Sequence, residues 1–293
     1  MSFTDLPPQP SMSPRADNYA ETSLRLSQLA QLQTRTALDL VYGDDYWQRL
    51  DLYLPPASAG SGLPVFINIH GGGWTHGYKE WFGLMAPAIV AFPAIYISLN
   101  YRLAGTKQHP AQLEDCLAAT AWVHRNIHLF GGDANRIFIG GHSAGGHLAA
   151  LVTLRRDLHA KFGLPVNVIK ACFPVSGVYY TQEPGPNGAL ENAAIISPII
   201  GSAADLHDAA PANFTAGNTT PFYVTWSEND NPFCLRQGPW FADLLAKETG
   251  RVERHCFPLF DHISIAIDTQ RPDNLWTRTL EAWMAGDPNT AKV

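Results

Sequence analysis

A serine set among small residues is the first feature of this sequence that could do chemistry. Gly141-His142-Ser143-Ala144-Gly145-Gly146 follows the apolar run Arg136-Ile137-Phe138-Ile139 and precedes a small, apolar stretch to Arg155. That context reads as buried strand, turn and helix, with Ser143 on the turn. So sharp a turn strains the serine backbone, and small residues two positions to either side let the chain pack that tightly. It lifts Oγ above the sheet edge, while the N-terminus of the following helix favours developing negative charge. The chemistry this implies is nucleophilic attack by Ser143 on a carbonyl. A second feature is His70-Gly71-Gly72-Gly73-Trp74, at the end of the apolar run 65–69. Consecutive glycines are entropically costly and make sense where backbone N–H groups must face a ligand without a Cβ in the way. The N–H groups of Gly72 and Gly73 are expected to receive an oxyanion together with that of Ala144, the residue after the nucleophile. No GK[ST] follows, which removes a phosphate-binding turn. Trp74, Tyr78, Trp81 and Phe82 come next. They read equally well as an aromatic-lined substrate pocket or as packing residues of a cap.

These groups need a frame to bring them together. Residues 47–54 (WQRLDLYL) alternate leucines with Arg49, Asp51 and Tyr53, a half-buried strand closed by Pro55-Pro56. The runs 65–69, 94–100 and 136–141 are apolar without clean alternation, the pattern of parallel strands covered by helices on both faces. Residues 111–126 place Leu113, Leu117, Thr120, Ala121 and His124 at helical spacing, with Pro110 in the first turn. Residues 144–155 are a second helix. Further strands are expected at 167–177, 222–227 and 252–258, and helices at 235–249 and 274–285. Strands alternating with helices give an α/β fold with a mainly parallel central sheet and helices on both faces. A short helix is expected from about Ser23, through Leu24, Leu26, Leu29 and Leu32. Residues 1–20 are polar and Pro-rich, read as a mobile or loosely docked tail, which leaves 21–293 as one catalytic domain.

A serine hydroxyl needs a base, and the base needs an orienting carboxylate. When the serine sits on a strand-to-helix turn, the acid and then the histidine follow it in the chain. Of eleven histidines, His207, His255 and His262 lie beyond the post-nucleophile sheet region. His207 is in a polar stretch and His255 within a strand, whereas His262 follows that strand in Phe260-Asp261-His262-Ile263, where a loop at the sheet edge is expected. For the acid, the strand FYVTWS ends in Ser227-Glu228-Asn229-Asp230, so Glu228 and Asp230 both qualify by position, with Asp230 preferred. Asp261 adjoins His262, and neighbouring side chains seldom aim at each other productively. His147, His70 and Arg102 read as structural groups: a packed histidine rather than a second base, a backbone hydrogen-bonder that holds the glycine loop, and a structural hydrogen-bonder rather than a substrate clamp.

The combination HGGGW, NYRL and GHSAGGHLAAL resembles the hormone-sensitive-lipase-like and kynurenine formamidase (arylformamidase) branches of the α/β-hydrolase superfamily, over about residues 40–285. GHSAGGHL, FPVSGVYY and the later SPII are similar to the formamidase pattern. So is SENDNPFCLRQGPWFA (227–242), an alignment that places the acid at Asp230. Gly73, where formamidases often have a larger residue, and Cys234, in place of a phenylalanine, depart from that pattern. The resemblance implies a serine hydrolase that cleaves a small aryl amide, such as an N-formyl aryl amine, through an acyl-enzyme. The alternative is a carboxylesterase for short-chain or aryl esters.

The bulk properties exclude several other classes. The 293 residues are 46% hydrophobic and 16% charged, with a formal net charge of -6 and no basic run, which argues against a nucleic-acid partner. The first residues lack the basic and apolar regions of a signal peptide, and no apolar run is long enough to cross a membrane. A cytoplasmic protein acting on a small-molecule amide or ester is the resulting expectation, and a homodimer is compatible with it. Four cysteines lie far apart without CxxC spacing; Cys116, Cys172 and Cys256 sit among apolar residues and are expected to be buried free thiols. No metal, phosphate or nicotinamide motif is present, so no metal site and no cofactor is implied.

Overall fold

In the computed structural model, residues 3, 5–181, 199 and 203–286 are described. The SPII stretch used in the resemblance therefore lies outside the described residues, apart from Ile199. Eight strands form one sheet in the order β1-β2-β4-β3-β5-β6-β7-β8. They are β1 (Arg35–Val41), β2 (Arg49–Leu54), β3 (Leu63–Ile69), β4 (Ile95–Leu99), β5 (Gly132–His142), β6 (Ile169–Val175), β7 (Phe222–Asn229) and β8 (Val252–Asp261). Only the pairings β1–β2 and β2–β4 are antiparallel, and every other neighbour is parallel. The α-helices are α1 (Pro14–Gln33), α2 (Ala86–Ala91), α3 (Ala111–Asn126), α4 (Ala144–Leu154), α5 (Arg156–His159), α6 (Ala203–Asp208), α7 (Pro232–Leu245), α8 (Ser264–Asp268) and α9 (Leu275–Ala285).

The sheet has apolar side chains on both faces, which explains why its central strands show no polar alternation. Val65, Ile67 and Ile69 of β3 point into a core shared with Leu113 and Leu117 of α3, Leu148 and Leu151 of α4 and Phe241 of α7. Phe66 points the other way, into an aromatic core with Tyr96, Phe173, Trp276 and Trp283, covered by α1, α2 and α9. Its rings meet mostly edge to face, as between Phe66 and Phe173 with centroids 6.3 Å apart.

Three expectations need correction. Helix α1 begins at Pro14, not near Ser23: Ser13 caps it by accepting from the Ala16 amide at 3.2 Å, and the proline occupies the first turn. Its buried face is Tyr19, Ser23, Ser27 and Ala30, while Leu29 and Leu32 are exposed. The serines keep the helix close to the layer beneath, where Ser27 Oγ accepts from the Leu84 amide at 2.8 Å. Strand β1 adds an element to those expected; it lies at the sheet edge and most of its side chains are only half-buried, so its apolar pattern is weak. Among the cysteines, Cys116 and Cys172 are buried as expected, but Cys256 is exposed and Cys234 is buried. Cys256 lies on the edge strand β8, where the neighbouring Phe257 takes the inward position.

The segment after the glycine loop is pinned by a buried charge cluster. Lys79 Nζ lies 3.0 Å from Asp39 and 2.9 Å from Asp51, and also pairs with Glu80. Burial pushes the Asp51 carboxyl up to about 6, against the lowering effect of Lys79. The Lys79 backbone is held as well, its amide by Asn100 Oδ1 at 2.6 Å and its carbonyl by Ser98 Oγ at 2.7 Å. Removing the cation alone would strand buried carboxylates. Lys79→Met is expected to lower unfolding free energy by about 3–5 kcal/mol in urea denaturation; a loss under ~1 kcal/mol would mean the cluster does not anchor this segment.

Candidate active site

The turn bearing Ser143, the candidate nucleophile, joins β5 to α4. Ser143 has φ 55° and ψ −118°, a strained backbone for a residue with a side chain. The turn closes because its flanking glycines lack side chains. A Cβ on Gly145 would stand 1.9 Å from the Ile69 carbonyl oxygen, and one on Gly141 would stand 2.5 Å from the same atom. The expectation from small residues at the ±2 positions therefore has a specific cause, the carbonyl that ends β3. The Ser143 amide donates to the Val175 carbonyl at 2.8 Å, tying the turn to the end of β6 as well.

Three side chains from separate strand ends converge there. Ser143 Oγ donates to His262 Nε2 at 2.9 Å, and His262 Nδ1 donates to Asp230 Oδ1 at 2.6 Å. Asp230 lies just past β7 and His262 just past β8. Glu228, the other positional candidate, turns outward and accepts from the Leu259 amide at 2.9 Å. Asp261 shapes the turn that presents His262, accepting from the amides of Ile263 and Ser264, each at 3.0 Å. His207 is exposed, and His255 stacks edge-on against Phe257 within β8, so neither reaches the site.

The carboxylate is well supplied with donors. Asp230 Oδ2 accepts from Ser176 Oγ at 2.5 Å and from the Ser227 amide at 3.1 Å, and Oδ1 accepts from the Asn231 amide at 2.8 Å. Burial alone would raise its pKa, but the bonds from His262, Ser176 and Ser227 outweigh it and hold the group at about 2. Asp230 is therefore ionised throughout the neutral range. His142, between Gly141 and Ser143 in sequence, donates from Nε2 to the His262 carbonyl at 2.6 Å, with the rings 4.7 Å apart. Burial and the neighbouring His262 push His142 down to about 3, so it stays neutral beside the base. Cys234 donates its thiol to the Ser176 carbonyl at 3.2 Å and flanks His262 Nδ1 at 3.9 Å. Ser176, His142 and Cys234 were not assigned to the site from sequence.

The glycine loop faces the serine. Gly71, Gly72 and Gly73 line a cavity of about 100 Å³ with His142, Ser143, His262, Ile263, Trp81, Met12, Ala16 and Tyr19. Of the four aromatic residues proposed for the pocket, Trp81 alone appears among these described lining residues. Trp74 is buried, its indole N–H donating to His147 Nδ1 at 3.1 Å, while His147 Nε2 donates to the Ala209 carbonyl at 2.6 Å. Phe82 is buried against the His142 ring, and the Tyr78 hydroxyl donates to the Pro7 carbonyl. Trp74 and His147 thus lock the glycine loop to α4, in keeping with the structural reading of His147. His70 likewise braces the loop: its ring stacks on Tyr101 at 4.3 Å and Nδ1 bonds the Gly71 carbonyl at 2.7 Å. Arg102 holds Asp115 through a forked contact, Nη2 lying 2.7 Å from Oδ1 and Nε 2.8 Å from Oδ2.

A mainly parallel eight-stranded sheet, with a serine turn after a central strand and acid and histidine following later strands, defines an α/β-hydrolase fold. The BD-FAE family model matches residues 50–245, and the chain belongs to that family. Solved structures agree on the fold. The carboxylesterase EstE1, from a metagenomic library, superposes with a TM-score of 0.73 at 23% identity, covering 94% of this chain and 96% of that one. A hyperthermophilic esterase from Pyrobaculum calidifontis gives 0.73 at 22% identity, covering 94% and 92%. Among curated relatives, esterase LipC of Mycobacterium tuberculosis is 30% identical over 217 residues, 70% of this chain and 54% of its own length. Carboxylesterase NlhH of the same organism is 40% identical over 109 residues, 36% of this chain and 34% of its own. The isoprenylcysteine alpha-carbonyl methylesterase ICME of Arabidopsis thaliana is 39% identical over 145 residues, 48% of this chain and 34% of its own. The aligned part thus spans about half of LipC and about a third of the other two. No described helix is long and apolar enough to cross a membrane.

The tightest geometric requirement here is the space beside the Ile69 carbonyl. Gly145→Ala is expected to destabilise the fold by about 3 kcal/mol through overpacking against backbone, read as a fall in the urea midpoint. An alanine variant with wild-type stability and an intact site would show that the turn can relax away from β3.

Proposed function

We propose that this protein is a serine carboxylesterase acting on small esters, with Ser143 as nucleophile, His262 as general base and then acid, and Asp230 as its orienting carboxylate. The observation that supports this most is the unbroken line of hydrogen bonds from Ser143 Oγ through His262 to Asp230, 2.9 and 2.6 Å long, at the wall of a cavity beside the glycine loop. Ser143 Oγ attacks the ester carbonyl carbon as its proton passes to His262 Nε2. The negative charge on the carbonyl oxygen is received by the N–H groups of Gly72, Gly73 and Ala144. Collapse of that intermediate expels the alcohol, which takes the proton from His262, and leaves Ser143 acylated. Water then repeats the sequence: His262 removes its proton as the hydroxyl adds to the acyl carbon, the acyl–oxygen bond to Ser143 breaks as His262 returns that proton to Oγ, and the carboxylic acid departs. Asp230, ionised and buried, keeps the His262 proton on Nδ1 and stabilises the imidazolium that forms in each half-reaction.

The formamidase-like motifs put an N-formyl aryl amide first and an ester second. The named relatives reverse that order, since LipC, NlhH and ICME are all esterases. The same machinery would attack either bond, and esters demand less of it because an alcohol leaves more readily than an amine.

Measured kcat/KM values for short-chain p-nitrophenyl esters are expected to exceed those for N-formyl anilides. Ser143→Ala should remove ester turnover by a factor approaching ~10⁶. A clear preference for N-formyl anilides would overturn the ester reading and restore the amide one, and full activity in the alanine variant would end both.

A further inference from the structure

Two cavities meet at Met12. The one at Ser143 holds about 100 Å³, and a groove of about 310 Å³ lies beyond it. Met12, Ala16 and Trp81 line both, so this group is the partition between them. The remainder of the groove is Gln9, Pro10, Ser11, Asp17, Ala20, Leu24, His76 and Tyr78. The first chamber is small, and its roof comes from the chain's own N-terminal segment.

That segment is fastened along its length, which separates a fixed backbone from a free side chain. Gln9 makes two bonds to the Gly77 backbone, accepting its N–H at 2.9 Å and donating to its carbonyl at 3.2 Å. His76 Nε2 donates to the Pro10 carbonyl at 3.1 Å, and Arg15 pairs with Asp261 beside the base. The Asp17 carboxylate accepts from Ser11 Oγ at 2.5 Å and from the Met12 amide at 3.3 Å. Met12 itself is 48% exposed, and its side chain ends in a Cε that would lie 3.8 Å from a Cβ on Gly73. It reaches over the glycine loop on an unbranched chain that can turn about several bonds.

We propose that Met12 is a swinging partition that sets acyl-chain length, and that the groove behind it takes the distal part of a neutral, apolar acyl chain. This rests on the ester reading above. The side of the reaction follows from proton delivery: the leaving alcohol must lie next to His262, which protonates it. His262 and Ile263 line the Ser143 chamber and not the groove, whose walls outside the N-terminal segment are His76, Tyr78 and Trp81, all following the glycine loop. The groove therefore lies on the acyl side. Ala20, Leu24, Tyr78 and Trp81 give it apolar surface, and Asp17 as the charged group on its wall disfavours an acyl chain ending in a carboxylate.

The test compares p-nitrophenyl acetate with p-nitrophenyl octanoate on wild type, Met12→Ala and Ala20→Phe. Ala20 lines only the groove, so its variant narrows the far chamber without entering the near one. Met12→Ala should raise the octanoate-to-acetate ratio of kcat/KM about tenfold or more, and Ala20→Phe, at a position lining only the groove, should lower it by about tenfold with acetate changed less than about threefold. A ratio unmoved in both variants would overturn the partition. So would a loss of acetate and octanoate turnover in step, which would mean that Met12 only holds the segment in place. Calorimetric binding of methyl- and octylboronic acid, which add to the Ser143 hydroxyl, reads the same chamber preference without ester turnover. Wild type that binds the boronic acids but hydrolyses neither ester would reject the ester reading alone. Boronic acid affinities indifferent to chain length in all three proteins would reject the partition.

Discussion

The site depends on one close approach of backbone to backbone. The turn bearing Ser143 lies so near the end of β3 that the Ile69 carbonyl oxygen occupies the space a Cβ on Gly145 would need. That contact places the nucleophile directly beside the residues that leave β3, which are His70 and the glycine loop. The Ser143 hydroxyl and the glycine loop proposed to receive charge are thereby set by the same few atoms. Strain in the Ser143 backbone is tolerated because three strand ends hold it: β5 leads into it, β3 packs beneath it, and β6 accepts its amide hydrogen.

The rest of the relay is built outward from that point. Ser176, at the end of β6, donates its amide to the Thr225 carbonyl on β7 at 2.8 Å and its hydroxyl to Asp230. The acid is thus referenced to the strand next to the nucleophile, as well as to its own. His142 completes the circuit by holding the His262 carbonyl from inside the nucleophile turn. Its neutrality matters here, because a cation at His142 would oppose protonation of the adjoining His262 ring, which the proposed mechanism requires. The buried Lys79 cluster and the Trp74–His147 bond do the same for the glycine loop from its far side.

How much of this could be read from the sequence varied with how local the signal was. The placement of Ser143 and the glycine loop side by side was legible because each is a contiguous run of small residues after a buried strand. Asp230 and His262 were legible through chain order and strand ends, and Asp230 also through the family resemblance. Ser176 was not, since its partner is far along the chain and only the pairing of β6 with β7 brings them together. The aromatic residues after the glycine loop divided: Trp81 faces the cavity, while Trp74 and Phe82 are packed, and composition is the same in either case. The start of α1 had a usable signal in Ser13-Pro14, a cap followed by a first-turn proline, which the polar, Pro-rich character of the segment obscured. Met12 carried no signal, because only the fold brings it to the wall of both cavities.

The relay itself can be measured directly. A fluorophosphonate reacts with a serine only when a neighbouring base raises the nucleophilicity of its hydroxyl. Intact-protein and peptide mass spectrometry after brief exposure should find one adduct, on Ser143, in folded wild type, with its rate of formation collapsing in His262→Ala. Folded wild type that stays unmodified, or Ser143 that reacts equally fast without the imidazole, would contradict the account.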